Sequence, residues 1–287
     1  MYNISNSVCS ACISAAGAEL QSLRLCATRE EYLWQGDAEI WSGRAPILFP
    51  VIGGLADDSY TANGKRFQMA KHGFARNREF SLHAETADSV TLLLESDTAS
   101  MAMYPWKFSL QVEFLLQDQS LLITYKVLNR DQESMYFNIG SHPAFRLPME
   151  GSALRDYKIV FEKPETLKTY RIVDAVMLRD PIPLLRNARS LPLSRSTFDK
   201  DALVFMDINS STISLDHVKE GPRLRLHTGG APHLGIWAKP AAPYVCIEPW
   251  WGYNDFSDGG GDIADKPSIQ TLAAGETFQT SIRIELV

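Results

Sequence analysis

Cysteine is scarce in this sequence, with four among 287 residues, and long apolar runs are absent. Four thiols are too few for a fold built on disulfides. No apolar stretch reaches the roughly 20 residues that a transmembrane helix requires. The first residues also lack the basic start and apolar core of a secretion signal. These absences predict a cytoplasmic protein that does not bind a membrane.

An excess of one charge is also missing. The 34 acidic and 28 basic residues give a net charge of −6, without long runs of either sign. This balance provides no basic surface for nucleic acid or an anionic membrane. We therefore expect a small-molecule partner. The sequence leaves open whether the chain is a monomer or a homodimer.

Short segments of β-type residues separated by turn residues dominate the chain. Two hairpins are predicted, one from residues 79–85 and 89–96 and one from residues 108–116 and 121–129, with residues 134–141 as a third partner. Further strands are predicted at 202–206, 212–215, 223–227, 234–237, 244–248 and 277–286. With an apolar fraction of 45%, this pattern predicts an all-β protein, a large antiparallel sandwich forming a single domain over residues 1–287.

Two segments rich in turn residues are predicted to be loops, namely residues 179–196 and residues 258–262 with their three consecutive glycines.

Cys9 and Cys12 form an isolated CxxC pair. A strand over residues 8–14 would direct the two thiols to opposite faces. Structural cysteines, and not a metal site, are expected there.

Three clusters place an ionisable side chain beside glycine, proline or aromatic residues at the end of a predicted strand. They read KHGFARN at 71–77, GSHPAF at 140–145 and CIEPWWG at 246–252. Strand ends that lead into loops are where rigid scaffolds present catalytic groups. The clusters nominate His72, His142 and Glu248.

Glu248 is the candidate general base. Strand alternation places Tyr244, Cys246 and Glu248 on one face of the predicted strand, so the carboxyl shares a face with weakly polar neighbours. Partial burial there would raise its pKa towards the range that suits a base near neutral pH. The alternative is a structural salt bridge at the strand end.

His142 is the candidate general acid. It precedes Pro143, which redirects the chain, and beside a carboxylate its imidazole would stay protonated. The alternative is a hydrogen-bonded structural histidine. His72, His142 and Glu248 would also suit a metal in number and type, but no HExxH or related spacing supports a metal, and neither a metal nor another cofactor is expected.

Basic side chains surround the first cluster. Lys71, Arg76 and Arg78 are consistent with recognition of hydroxyl groups or of a phosphate, although for Lys71 and Arg78 solvation at the surface is the preferred interpretation. The indoles of Trp237, Trp250 and Trp251 could line a sugar site or could simply pack in the core.

With these clusters the sequence resembles the aldose 1-epimerase family, specifically the LacX-like branch of the galactose mutarotase-like proteins. The resemblance covers nearly the whole chain, and the order and spread of the matching segments carry it. These segments are GAEL at 17–20, EYLW at 31–34, PILFP at 46–50, HGFARN at 72–77, SHPAF at 141–145, PHLGIW at 232–237 and CIEPWWG at 246–252.

The resemblance implies a galactose mutarotase-like supersandwich that interconverts the α and β anomers of a free aldohexose such as glucose or galactose. It implies that His142 is the acid towards the ring oxygen and Glu248 the base towards the anomeric hydroxyl. It further implies that His72 and Arg76 hold the sugar, and a weaker local match adds Asp201. Ring opening moves only protons, so no cofactor is needed.

Two other functions are compatible with the same residues. A hexose-6-phosphate mutarotase would use Arg76 or Lys71 against the phosphate, but such relatives usually carry Thr-Tyr-Phe where Pro-Ala-Phe follows His142. A non-catalytic sugar-binding module would keep the fold without turnover. Residues 51–54 read VIGG, where some relatives carry an arginine, which leaves the sugar itself open.

Overall fold

The computed structural model describes residues 1–147 and 153–287. Strands joined by turns and longer loops make up these residues, together with the short helix α1 (Thr98–Met103) and 3₁₀ turns at Ala56–Asp58, Ala75–Asn77, Leu154–Asp156 and Ile263–Asp265. None of the helices in this part of the chain combines the length and apolar character that crossing a bilayer demands.

The strands are numbered in chain order. They are β1 (Tyr2–Ser5), β2 (Cys9–Ile13), β3 (Leu20–Leu25), β4 (Ile47–Leu48), β5 (Ser59–Ala62), β6 (Lys65–Gln68), β7 (Ser81–Glu85), β8 (Ser89–Glu95), β9 (Phe108–Gln117), β10 (Ser120–Asn129), β11 (Met135–Phe137), β12 (Ile139–Ser141), β13 (Ala144–Arg146), β14 (Tyr157–Glu165), β15 (Lys168–Val173), β16 (Val176–Pro183), β17 (Ala188–Pro192), β18 (Leu203–Phe205), β19 (Thr212–His217), β20 (Gly221–His227), β21 (His233–Trp237), β22 (Tyr244–Trp251), β23 (Gln270–Leu272) and β24 (Thr277–Leu286).

A nine-stranded antiparallel sheet has the order β17-β14-β19-β20-β24-β10-β9-β8-β7. Both predicted hairpins, β7 with β8 and β9 with β10, lie in this sheet and are confirmed. Along β9 and β10 buried positions largely alternate with more exposed ones. This sheet therefore covers the core with one face and meets solvent with the other.

A six-stranded sheet has the order β18-β21-β22-β12-β4, with β13 pairing β22. All eight residues of β22 are buried. Trp251 of β22 contacts Phe278 of the nine-stranded sheet, with ring centroids 6.2 Å apart. Successive side chains of a strand point to opposite faces, so Glu248 points away from the nine-stranded sheet. The predicted all-β antiparallel class is confirmed, and the prediction of one domain stays a prediction.

Smaller sheets complete the described part of the chain: β1-β2-β3, β5-β6, β11-β23 and β15-β16. In β2 the buried positions alternate, so Cys9 is buried and Cys12 is half-buried. The two thiols lie on opposite faces of the strand, as predicted from its period.

Two expectations about the chain path are wrong. Residues 134–141 do not extend the second hairpin, because β24 occupies the other edge of β10 while β11 and β12 pair in two different sheets. Residues 179–196 are not a loop, because they contain the end of β16 and all of β17. Their prolines lie on edge strands, where a missing N–H costs no ladder hydrogen bond. Residues 258–262 contain no strand or helix, in agreement with the predicted loop.

Candidate active site

A cavity of about 490 Å³ lies over the face of the six-stranded sheet that points away from the nine-stranded sheet. All five residues nominated from the sequence line it: His72, Arg76, His142, Asp201 and Glu248. The other lining residues are Trp41, Pro46, Lys71, Ile172, Phe198, Ala202, Trp237, Pro240, Trp250 and Asn254. Segments far apart in the sequence thus contribute to one cavity of a size suited to a small ligand.

Glu248 lies in β22 opposite Gly235 of β21. A Cβ atom on Gly235 would lie 2.5 Å from the indole of Trp250, and a Cβ atom on Gly140 would lie 2.7 Å from the same ring. The two glycines therefore leave the space in which the Trp250 indole lies beside the Glu248 carboxyl. The indole N–H is close enough to lower the pKa of that carboxyl, although it makes no hydrogen bond of normal geometry.

Burial dominates the electrostatics of Glu248. Its side chain is 1% exposed, and desolvation raises the pKa of the carboxyl well above its ordinary value. The positive charge of Lys71 opposes this shift, while the negative charge of Asp201 adds to it. A carboxyl with a raised pKa can both accept and return a proton near neutral pH.

His142 lies beside this carboxyl, with Nε2 3.3 Å from Glu248 Oε2. Aromatic rings enclose the imidazole, because the ring centroids of Trp41 and Trp237 lie 5.3 Å and 5.9 Å from its own. Burial, with smaller contributions from the charges of Lys71 and Arg76, lowers the pKa of His142 to about 3. The expectation that the carboxylate keeps this imidazole protonated is therefore not met in the unliganded protein.

Burial therefore favours the state in which the single proton of the pair lies on the carboxyl. Burial disfavours the charged forms of both His142 and Glu248, so the neutral acid and neutral imidazole are favoured over an ion pair. The ion pair differs from this state only by transfer of one proton across the 3.3 Å contact. Hydrogen bonds from a bound polar ligand would favour the ionised form of either group.

His72 is fixed by the backbone of Gly53. The ring atom Nδ1 of His72 accepts a hydrogen bond from the backbone N–H of Gly53 at 3.0 Å, and the backbone N–H of His72 donates to the Gly53 carbonyl at 2.9 Å. Burial holds the pKa of His72 well below 6.5. Because Nδ1 accepts a hydrogen bond, the neutral ring carries its proton on Nε2.

The next residue, Gly73, is required by this turn. It has a φ of 70°, and an added Cβ would lie 2.2 Å from the carbonyl oxygen of Phe49. Only glycine avoids both the left-handed strain and this clash. The glycine of the HGF segment thus holds the preceding histidine against the cavity.

Charged side chains of both signs surround the cavity. Arg76 donates to the Lys71 carbonyl at 2.9 Å, which leaves further guanidinium N–H groups for a ligand. Lys71 itself lines the cavity, whereas the sequence favoured surface solvation for it. Asp201 has a φ of 76°, and its Oδ1 accepts the N–H of Ala202 at 2.7 Å. Its second carboxylate oxygen remains available as an acceptor.

Trp41 was missed by the sequence reasoning. It lies in the connection between β3 and β4, where no local pattern distinguishes it from other surface aromatics. Its indole lies edge-on to Trp237, at 5.4 Å between centroids and an interplanar angle of 80°. Together with His142 these rings form an apolar wall of the cavity, of the kind on which the C–H face of a sugar packs.

The metal set considered from the sequence does not match the geometry. His72 uses Nδ1 for Gly53, and its ring is nearly perpendicular to that of His142, with centroids 5.8 Å apart. Among the described residues, the side chains whose ligand atoms converge are instead His142, Cys246 and Glu248, within 4.8 Å of one another.

Comparison with known proteins identifies the family to which the chain belongs. The family model described as aldose 1-epimerase matches residues 1–285. The chromosomal protein LacX of Lactococcus lactis subsp. lactis is 32% identical over 268 residues, which cover 90% of each chain. A galactose mutarotase related enzyme from Lactobacillus acidophilus superposes with a TM-score of 0.95 at 34% identity, covering 100% of this chain and 97% of its own. A galactose mutarotase-like protein from Lactobacillus casei gives a TM-score of 0.94 at 31% identity, with both chains fully covered. The chain therefore belongs to the aldose 1-epimerase family.

Proposed function

We propose that the protein is an aldose 1-epimerase that interconverts the α and β anomers of a free aldohexose such as glucose or galactose. The observation that carries the proposal is the buried contact of 3.3 Å between His142 Nε2 and Glu248 Oε2 inside the cavity. Anomerisation requires a proton to leave the O1 hydroxyl and another to reach the ring oxygen O5. O1 and O5 share one carbon, so two adjacent groups can serve both atoms.

In the proposed reaction Glu248 removes the O1 proton while His142 protonates O5. The C1–O5 bond breaks, the C1–O1 bond becomes a carbonyl, and rotation about C1–C2 turns the other carbonyl face to the O5 hydroxyl. In reclosure the protonated Glu248 returns a proton to O1 and neutral His142 takes the O5 proton. The protonation state favoured in the unliganded protein, carboxyl protonated and imidazole neutral, is the state that follows ring opening.

The remaining polar groups would hold the ring hydroxyls. His72 offers its Nε2–H as a donor, the Arg76 guanidinium offers further donors, and Asp201 offers an acceptor. Trp41 and Trp237 supply the apolar wall. Every covalent change in this route is a proton transfer or a bond rearrangement within the sugar, so protein side chains are sufficient for it.

A second candidate, a hexose-6-phosphate mutarotase, is favoured by the two cations that line the cavity. Lys71 and Arg76 both lie there, and both groups bind phosphate in other proteins. We rank it second because Pro-Ala-Phe follows His142, and because the acidic side chain of Asp201 lines the same cavity and would oppose a phosphate.

The test is the rate of anomerisation, measured by polarimetry or by exchange NMR, across a panel of free aldoses and glucose 6-phosphate. Acceleration of glucose or galactose mutarotation supports the proposal. A marked preference for glucose 6-phosphate selects the second candidate. Sugar binding without acceleration of any substrate overturns both and identifies a binding module.

A further inference from the structure

Cys246 takes no part in the proposed reaction, yet its thiol lies beside the two residues that do. It precedes Glu248 by two positions in β22, so both side chains point to the same face of the sheet. The ligand atoms of His142, Cys246 and Glu248 lie within 4.8 Å of one another, and all three residues are buried. One nitrogen, one sulfur and one oxygen therefore converge beside the cavity, which His142 and Glu248 line.

We propose that His142, Cys246 and Glu248 form a binding site for a borderline-soft divalent cation such as Zn²⁺, and that the cation inhibits the enzyme by occupying the acid–base pair. Binding goes beyond the proposed function and does not depend on it. Only the inhibition rests on that function.

The dimensions suit such a cation. Three atoms that are no more than 4.8 Å apart enclose a point within about 2.8 Å of each, against ordinary zinc–ligand distances of roughly 2.0 to 2.3 Å. Shifts below an ångström would complete the site. Two atoms of these side chains, His142 Nδ1 and Glu248 Oε2, have no hydrogen bond in the described structure, so few existing bonds oppose the adjustment.

The chemistry of the donors selects the class of metal. A thiolate with an imidazole and a carboxylate suits Zn²⁺ and its analogue Co²⁺, whereas Mg²⁺ and Ca²⁺ prefer oxygen ligands alone. Three protein ligands would leave a fourth position towards the cavity, and the nearby cations Lys71 and Arg76 would oppose binding. The site would therefore be of moderate affinity and would compete with the sugar.

Co²⁺ is the direct probe, because a thiolate ligand gives a near-ultraviolet charge-transfer band and tetrahedral coordination gives visible bands. We expect both bands on titration of the metal-free protein. Cys246→Ser should remove the charge-transfer band and weaken Zn²⁺ binding at least about tenfold. Cys26→Ser is the matched control, because Cys26 is exposed and lies outside the cavity.

Activity supplies the second measurement. Zn²⁺ should inhibit anomerisation competitively with the sugar, EDTA should restore the rate, and EDTA alone should leave the metal-free enzyme fully active. Cys246→Ser should retain the metal-free rate and lose most of the zinc sensitivity, with Cys246→Ala as a second variant if the serine protein folds poorly.

Three results would overturn the site: cobalt bands without a thiolate contribution, equal weakening by Cys26→Ser, or unchanged zinc sensitivity in both Cys246 variants. If no substrate is turned over at all, the cobalt spectra still decide whether the metal binds. Failure of the site is thereby separable from failure of the enzymatic proposal.

Discussion

The two large sheets are built from similar residues and have different tasks. In the nine-stranded sheet, β9 and β10 bury alternate side chains and leave the others at the surface. In the six-stranded sheet, β22 buries all eight residues, including a carboxyl. A sheet that covers the core needs only one apolar face, whereas a sheet that forms a cavity floor must enclose polar groups as well. Substitutions on the cavity face of the six-stranded sheet should therefore lower the rate of the reaction. Substitutions in the nine-stranded sheet should lower only the stability of the fold.

The largest effect is expected for Glu248→Gln, which keeps the side-chain shape and removes the proton acceptor. The rate of anomerisation should fall about 100- to 10,000-fold, the usual value of general base catalysis. The same substitution on the other sheet, Glu113→Gln in β9, is the control and should leave the rate unchanged. A Glu248→Gln enzyme with more than about a tenth of the wild-type rate would exclude Glu248 as the base.

His142→Asn should lower the rate by about 100-fold or more and change its pH dependence. In the wild type the pair must hold one proton, so we expect a plateau in the rate, bounded on the acid side by protonation of His142, whose pKa is about 3, and on the alkaline side by ionisation of Glu248, whose pKa burial raises. Without the imidazole the alkaline limb should disappear. The exposed His83→Asn is the control. An alkaline limb that persists in His142→Asn would mean that another residue supplies the proton, and His72 would be tested next.

Gly235→Ala should separate packing from catalysis within the six-stranded sheet. The new methyl group would meet the Trp250 indole at 2.5 Å, and overpacking of this kind costs about 1 to 3 kcal/mol. Because the indole lies beside Glu248, we expect kcat to fall roughly tenfold or more through displacement of the carboxyl. A variant that unfolds more easily but has unchanged kcat would show that Trp250 does not position the base.

Leu110→Ala should show the opposite behaviour in the nine-stranded sheet. Leu110 is fully buried in β9, and deletion of a buried leucine side chain costs about 2 to 5 kcal/mol of unfolding free energy. The urea midpoint should fall, while kcat and KM at a temperature well below the melting transition should stay at wild-type values. A loss of kcat in the folded variant would show that the two sheets are not functionally separate.

The smallest effect concerns stability and pH. Between pH 4.5 and 6.5 the unfolded chain carries one proton of the pair on His142, and the folded chain carries one on Glu248, since burial moves the two pKa values in opposite directions. The contributions to the pH slope therefore cancel in the wild type.

Each single variant should uncover one of these contributions. With Glu248→Gln, the remaining histidine binds a proton only when unfolded, so stability should fall as pH drops through this window. With His142→Gln, the remaining carboxyl of Glu248 binds a proton only in the folded protein, so stability should fall as pH rises through this window. Each slope is at most about 1.4 kcal/mol per pH unit. Urea midpoints at pH 4.5, 5.5 and 6.5 measure them, and slopes of the same sign would contradict the assignment.

The sequence predicted the parts of this structure that depend on local periodicity. Both hairpins and the faces of β2 follow from alternation between neighbouring residues. Pairing between distant segments cannot be predicted in this way, because any strand of suitable period can occupy an edge of β10. The strand that occupies it is β24, near the end of the chain. Prolines in β16 and β17 were mistaken for loop signals because edge pairing is not visible in composition.

The candidate site shows the same division. His72, His142 and Glu248 were found from short segments that place them at strand ends, and Arg76 and Asp201 from the family resemblance. Trp41 was missed because only the folded chain brings it to His142. The resting position of the proton was also missed, because attraction between two charges is apparent from residue types, whereas the extent of burial is not.

The bond from the Gly53 N–H to His72 Nδ1 has a consequence for discrimination among sugars. It makes Nε2–H a permanent donor, since the low pKa of His72 keeps the ring neutral at every physiological pH. A ligand atom facing it must therefore be an acceptor, and a deoxy analogue would leave a buried N–H unpaired at a cost of about 1 to 3 kcal/mol. The backbone of a turn outside the proposed acid–base pair would in this way reject deoxy sugars by roughly 5- to 150-fold relative to their hydroxylated counterparts.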